Sequence, residues 1–227
     1  MNRPEPDTYK RGLTYLAANQ NAEGFWGAGT GNLYLTSFSL VAFLNCGETT
    51  VSDEYGKNVK RCLSWMLRQK PTSDLDGVSM IHALTAAYKI TRISLLGTKA
   101  TRHRANVDPA RLSAPCAILF RITVPPDAPS GRRVSSHFAL RKFVALPSGP
   151  APLRLYLMSL AMFVKGGSTW KDYSQKTLDP LITMQAANGS FSLPAARSPI
   201  ESTVFALLQL TVCYRYWIDY LNIGPRT

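Results

Sequence analysis

Asp74-x-Asp76 is the pair in this chain that most directly invites chemistry. Two carboxyls so spaced can act as a general acid when dry surroundings keep one of them protonated. Followed by Gly77, they also read as an Asp-Gly turn, because short acidic side chains bond to nearby backbone. The turn is the expected reading, and Asp74 and Asp76 stand as the catalytic candidates. A zinc centre would need Cys, His or Asp side chains converging. Cys46, Cys62, Cys116 and Cys213 are far apart and form no C-x-x-C pair, and His82 is the one histidine in a well-patterned stretch. No metal and no cofactor is expected. Arg102-His103-Arg104 and Arg132-Arg133 are residue types that touch phosphates. They lack interleaved aromatics, so solvated loop charge is the expected reading and nucleic acid is not an expected partner.

These residues sit in a chain of 227 residues, 45% hydrophobic, long enough to bury a substantial core. A net charge of +12 favours acidic partners in general. Three cysteines (Cys46, Cys62 and Cys213) lie in apolar helical stretches, where a thiol serves as a small hydrophobe. No apolar signal core follows Met1-Asn2-Arg3-Pro4-Glu5-Pro6-Asp7, which gives a cytoplasmic location by default. No stretch reaches the ~20 apolar residues of a membrane span.

Helical spacing dominates the pattern. Asp7 is the expected cap of a helix through Gln20, with Tyr9, Leu13, Leu16 and Ala17 on one face. A second helix over 32–45 is apolar on most of its circumference, which places it inside a protein. Gly47 closes it. Ser52-Asp53-Glu54 is expected to open a third helix, carrying Val59, Cys62, Leu63, Trp65 and Met66. Residues 71–77 are expected as a loop before a fourth helix over 78–90. Helices recur over 153–164, over 169–185 with a break near Pro180, and from Ser198 to about Tyr220. In the last, Ser198 with Glu201 matches a capping box and Pro199 suits the first turn.

Three junctions share a grammar. Gln20 precedes Gly24, Phe25 and Trp26. Gln185 precedes Gly189, Ser190 and Phe191. Between them lies a degraded copy, Gln69 followed by Asp74, Asp76 and Gly77. Glycine permits the left-handed backbone that ends a helix tightly, and glutamine can bond to orphan backbone groups there. The aromatics cover the joint. Gln20 to Gln69 spans about one helix pair, a repeat-sized period. A pair of this kind hides its apolar face only against the next.

Gln-x-x-x-Gly-x-Trp/Phe between helices resembles the QW-type motif of the prenyltransferase and squalene-cyclase repeat family. The segments from Tyr55 to Gln69, from Gly167 to Phe191 and from Leu207 to Tyr216 are similar to its helices. The resemblance covers about residues 9–92 and 153–221. It implies an all-α fold, an α/α toroid of inner and outer helices that is partial here, with an apolar or isoprenoid ligand. In cyclases of the family an acidic motif protonates the substrate. Asp74 and Asp76 match part of it, but Gly77 stands where a further Asp is expected. Cys46-Gly47-Glu48 resembles the thioester motif of complement-like toroids, but Thr49 replaces the required Gln.

The pattern divides the chain into 1–91, 92–152 and 153–227. The middle holds ten cationic residues against Asp108 and Asp127, and eight of the fifteen prolines. It has no Trp or Gln. Three readings stay open: a basic insertion for an acidic partner, a divergent helix pair over 110–122 and 137–146, or a stretch read out of frame or left by a deletion. The last predicts a poorly ordered middle. The function expected is a non-catalytic scaffold or apolar-ligand-binding toroid, with a protein partner or self-association. The alternative is an isoprenoid-handling enzyme.

Overall fold

The computed structural model describes residues 6–28, 32–123, 151–194 and 196–213. Among them every regular element is a helix. They are α1 (Pro6–Ala18), α2 (Leu33–Asn45), α3 (Gly56–Arg68), α4 (Asp74–Thr91), α5 (Ser94–Ala105), α6 (Ala114–Thr123) and α7 (Ala151–Lys165). After them come α8 (Gly167–Tyr173), a π turn (Ser174–Leu178), α9 (Asp179–Thr183) and α10 (Pro199–Leu210). The all-α expectation holds. None of these helices is long and apolar enough to cross a membrane. The helix expected over 137–146, and the end of the last helix toward Tyr220, lie outside the described residues, as do Arg132, Arg133 and His137.

Several boundaries differ from expectation, each for a local reason. Asp7 lies inside the first turn of α1 rather than at its cap. The third helix opens at Gly56, and Asp53 and Glu54 occupy the turn before it. The fourth begins at Asp74, because the Ser73 hydroxyl accepts the Asp76 N–H at 3.1 Å and caps it there. Ser168 falls inside the first turn of α8. The break expected near Pro180 is the π turn: the Asp179 N–H reaches back to the Ser174 carbonyl, which widens the helix just before a residue that lacks an N–H. Helix α5 was not expected, and α6 starts later than the sequence pattern suggests. Both lie in the segment that breaks the repeat grammar, and both pack on α4.

The helices are of two kinds. Every residue of α2 and nearly every residue of α10 and of the middle of α4 is buried. In contrast, α3 buries a single face of Val59, Cys62, Leu63, Trp65 and Met66, and α5 buries little beyond Leu96 and Ala100. Contacts follow that division. α2 packs on α4, α4 on α6, α6 on α7, α7 on α10, and α10 back on α2, a closed succession. α1 lies against α10 and α2, α3 against α2, α5 against α4 and α8 against α7. The helices of the closed succession run the same way where contacts fix their sense. Tyr34 and Phe38 of α2 meet Asp76 and His82 of α4 in that order. Phe38 meets Phe205 of α10, while Asn45 at the end of α2 donates to Thr211 just past the end of α10 at 3.1 Å.

Candidate functional site

The sequence singles out the joints, and two of them are built alike. At the first, the Asn21 N–H donates to Phe25 O (2.9 Å) and the Gly24 N–H to Asn21 O (2.8 Å). At the second, the Ala186 N–H donates to Ser190 O (2.8 Å) and the Gly189 N–H to Ala186 O (2.9 Å). Gly24 and Gly189 have φ of 106° and 87°, in the left-handed region. The Gln20 amide donates to Gly24 O and to Asn58 O of α3, both at 3.0 Å. The Gln185 amide donates to Gly189 O (3.0 Å) and to Thr8 O of α1 (2.9 Å). A Cβ on Gly24 would collide with the Arg61 carbonyl of α3, and one on Gly189 with the Arg11 carbonyl of α1. Asn58 and Arg61 stand to each other as Thr8 and Arg11 do. The joint ending α1 therefore docks on α3 in the same register as the joint ending α9 docks on α1.

The entry to the next helix repeats too. The Trp26 N–H donates to Thr36 Oγ1 of α2 (3.1 Å), and the Phe191 N–H to Thr203 Oγ1 of α10 (3.0 Å). Trp26 adds a bond from its indole to Leu16 O at 2.7 Å, which Phe191 has no atom to make. Gln20 Oε1 accepts from Asn58 Nδ2 and an Arg61 guanidinium nitrogen, both at 2.8 Å, whereas the buried Gln185 Oε1 has no partner among the described residues.

Gln69 caps the end of α3, but it does not bridge to a following turn as Gln20 and Gln185 do. Its amide turns back to Trp65 O in its own helix at 3.1 Å. Gly77, which the sequence grouped with Gly24 and Gly189, is helical, in the first turn of α4. Asp76 is likewise no loop residue. Its Oδ2 accepts the hydroxyls of Ser73 (2.9 Å) and Thr72 (3.0 Å), and its Oδ1 accepts the Tyr34 N–H at 3.1 Å. One carboxylate thus ties the starts of α2 and α4 together, while Asp74 beside it faces solvent. The two do not converge on an enclosed space.

Aromatic side chains of the closed succession meet one another in its interior. Phe38 meets Phe205 (5.1 Å between ring centroids), Tyr34 (5.2 Å), Tyr156 of α7 (5.9 Å) and His82 of α4 (6.0 Å). Phe38, Tyr156 and Phe205 are fully buried. The Thr123 hydroxyl donates to Leu119 O at 2.7 Å, so the bond it shares with His82 Nδ1 (2.8 Å) takes its hydrogen from the imidazole. Burial, and secondarily Lys89, pushes the His82 pKa down to about 3, so the ring is neutral. Burial raises the phenol of Tyr156, and burial and then Glu201 raise that of Tyr34. This cluster was not singled out from sequence. The available signal was α2 itself, apolar all round, which must meet partners on every side.

None of the four cysteines forms a disulfide among the described residues. Burial pushes the Cys46 thiol up to about 12 and raises Cys62 further, so both remain thiols at neutral pH. Among the described residues, no three of His, Cys, Asp and Glu gather as a metal site. Comparison with known proteins found no matching family model, no matching curated protein and no matching solved structure.

Proposed function

We propose that the chain is a non-catalytic scaffold of helix pairs, arranged as an α/α toroid with α2, α4, α6, α7 and α10 as its inner wall. The observation that carries this reading is the aromatic filling, Phe38, Tyr156 and Phe205 in mutual contact where a toroid would keep a cavity. An apolar ligand would have to displace these rings, each contributing ~2 kcal/mol or more by burial. The repeated joints support kinship of architecture with the prenyltransferase and squalene-cyclase repeats. The acid chemistry of that family finds no support in Asp76, whose two oxygens hold helix starts.

Incubation with squalene and with farnesyl diphosphate tests this. The expected result is no turnover and no rise in Tm, since any ligand of the native state would stabilise it. Product above the buffer control, or a saturable rise in Tm with squalene, overturns the reading.

A further inference from the structure

We propose that the outer side of the α4–α5 hairpin docks on an anionic phospholipid bilayer. The hairpin reverses at Arg92, which adopts a left-handed φ of 57° and is exposed. Directly after it come Ile93 and Leu95, 40% and 58% exposed. Leu95, Lys99 and Arg102 follow at helical spacing on one stripe of α5, while Leu96 and Ala100 on the other side are buried. Tyr88, also exposed, braces the base of the patch with its ring against Gly97.

Charge is one-sided here. No Asp or Glu stands between Asp76 and Asp108, a stretch that carries Lys89, Arg92, Lys99, Arg102 and Arg104. Arg92, Lys99 and Arg102 form no ion pair among the described residues. The fields of Lys99 and Arg102 meet at His103, whose pKa is lowered by burial first and then by these two cations. Cations beside exposed apolar side chains match an anionic lipid surface, where Leu95 and Ile93 enter the acyl boundary and the guanidinium and ammonium groups stay with the headgroups. A nucleic acid would leave Leu95 and Ile93 unused, and Tyr88, the aromatic of the patch, lays its ring against Gly97 instead of presenting it for stacking. The inference does not rest on the toroid reading, since it concerns a solvent-facing hairpin.

Co-sedimentation of the full chain with phosphatidylserine–phosphatidylcholine vesicles tests it. Binding is expected to mixed vesicles and not to pure phosphatidylcholine, and it is expected to weaken in high salt. The triple variant Arg92→Asn, Lys99→Gln, Arg102→Gln keeps a residue suited to the left-handed turn. Each neutralised cation is expected to cost about fivefold, so the triple loses about a hundredfold. A charge-matched control, Lys57→Gln, Lys60→Gln, Arg68→Gln on exposed positions of α3, is expected to bind as the parent. Circular dichroism confirms that both fold. Absence of binding to the mixed vesicles, equal loss in the control triple, or equally tight salt-sensitive binding to duplex DNA each overturns the proposal.

Discussion

His82 is where a single side chain sets a condition on stability. It is buried and neutral, its Nδ1 hydrogen held by Thr123 and its pKa pushed down to about 3. In the unfolded chain the same imidazole titrates near 6.5. Below that pH the unfolded state takes up a proton that the folded state refuses. Stability from this group is therefore fully present above about pH 6.5 and is lost as pH falls toward about 3. The slope approaches about 1.4 kcal/mol per pH unit, or about 2 kcal/mol lost by pH 5. His103, lowered by partial burial and by Lys99 and Arg102, acts in the same direction. Urea unfolding at pH 7 and pH 5 measures the loss. His82→Leu is expected to flatten most of it, because the Thr123 hydroxyl keeps its bond to Leu119 O. A variant as acid-sensitive as the parent would assign the loss to other groups. The sequence placed His82 in a patterned helix but held no sign that α6 supplies Thr123, because α6 lies where the repeat grammar stops.

At the scale of the element, glycines that look equivalent in sequence divide into two kinds. Gly189 combines φ of 87° with backbone of α1 where a Cβ would go. Gly77 is helical, and a Cβ there would meet only Pro71 Cβ at an ordinary 3.7 Å. Gly189→Ala is expected to cost more than ~2 kcal/mol through strain and collision, and to separate the joint from α1. Gly77→Ala is expected to stabilise by up to ~1 kcal/mol, because helical Ala loses less backbone entropy. Thermal unfolding of the two variants decides between this pairing and a common turn role, which would make both destabilising. The contrast marks how far the elements could be read. Gln20 and Gln185 were legible because a helix end, a glycine and an aromatic recur at one spacing. Asp74-x-Asp76-Gly77 imitates a turn, and only the Ser73 cap and the bond from Tyr34 show it to be a helix start. Helix α5 gave no periodic signal because it buries little beyond Leu96 and Ala100.

At the scale of the whole molecule, the last joint fastens onto the first helix. Gln185 Nε2 reaches Thr8 O across 177 residues of chain, and Gly12 of α1 sits so close to Leu207 of α10 that an added Cβ would lie 2.8 Å from its Cδ2. Neither contact can be read from sequence, because periodicity describes each helix pair and is silent on which pair neighbours which. If α1 is held from both sides, its amides exchange only in openings as rare as those of α10. Removing the Gln185 amide should then release α1 at its start, far away in sequence, while leaving α3 protected. Gln185→Ala is expected to lower protection over residues 8–13 by about 1 kcal/mol, the usual worth of a lost hydrogen bond. Gln20→Ala is expected to act instead on the first turns of α3, where Asn58 O loses its donor. Hydrogen exchange read residue by residue distinguishes the two patterns. Unchanged protection of α1 in Gln185→Ala would mean that the C-terminal joint merely touches α1. Loss at α1 alone would show that each joint clasps the helix its glutamine bonds to, α1 for Gln185 and α3 for Gln20.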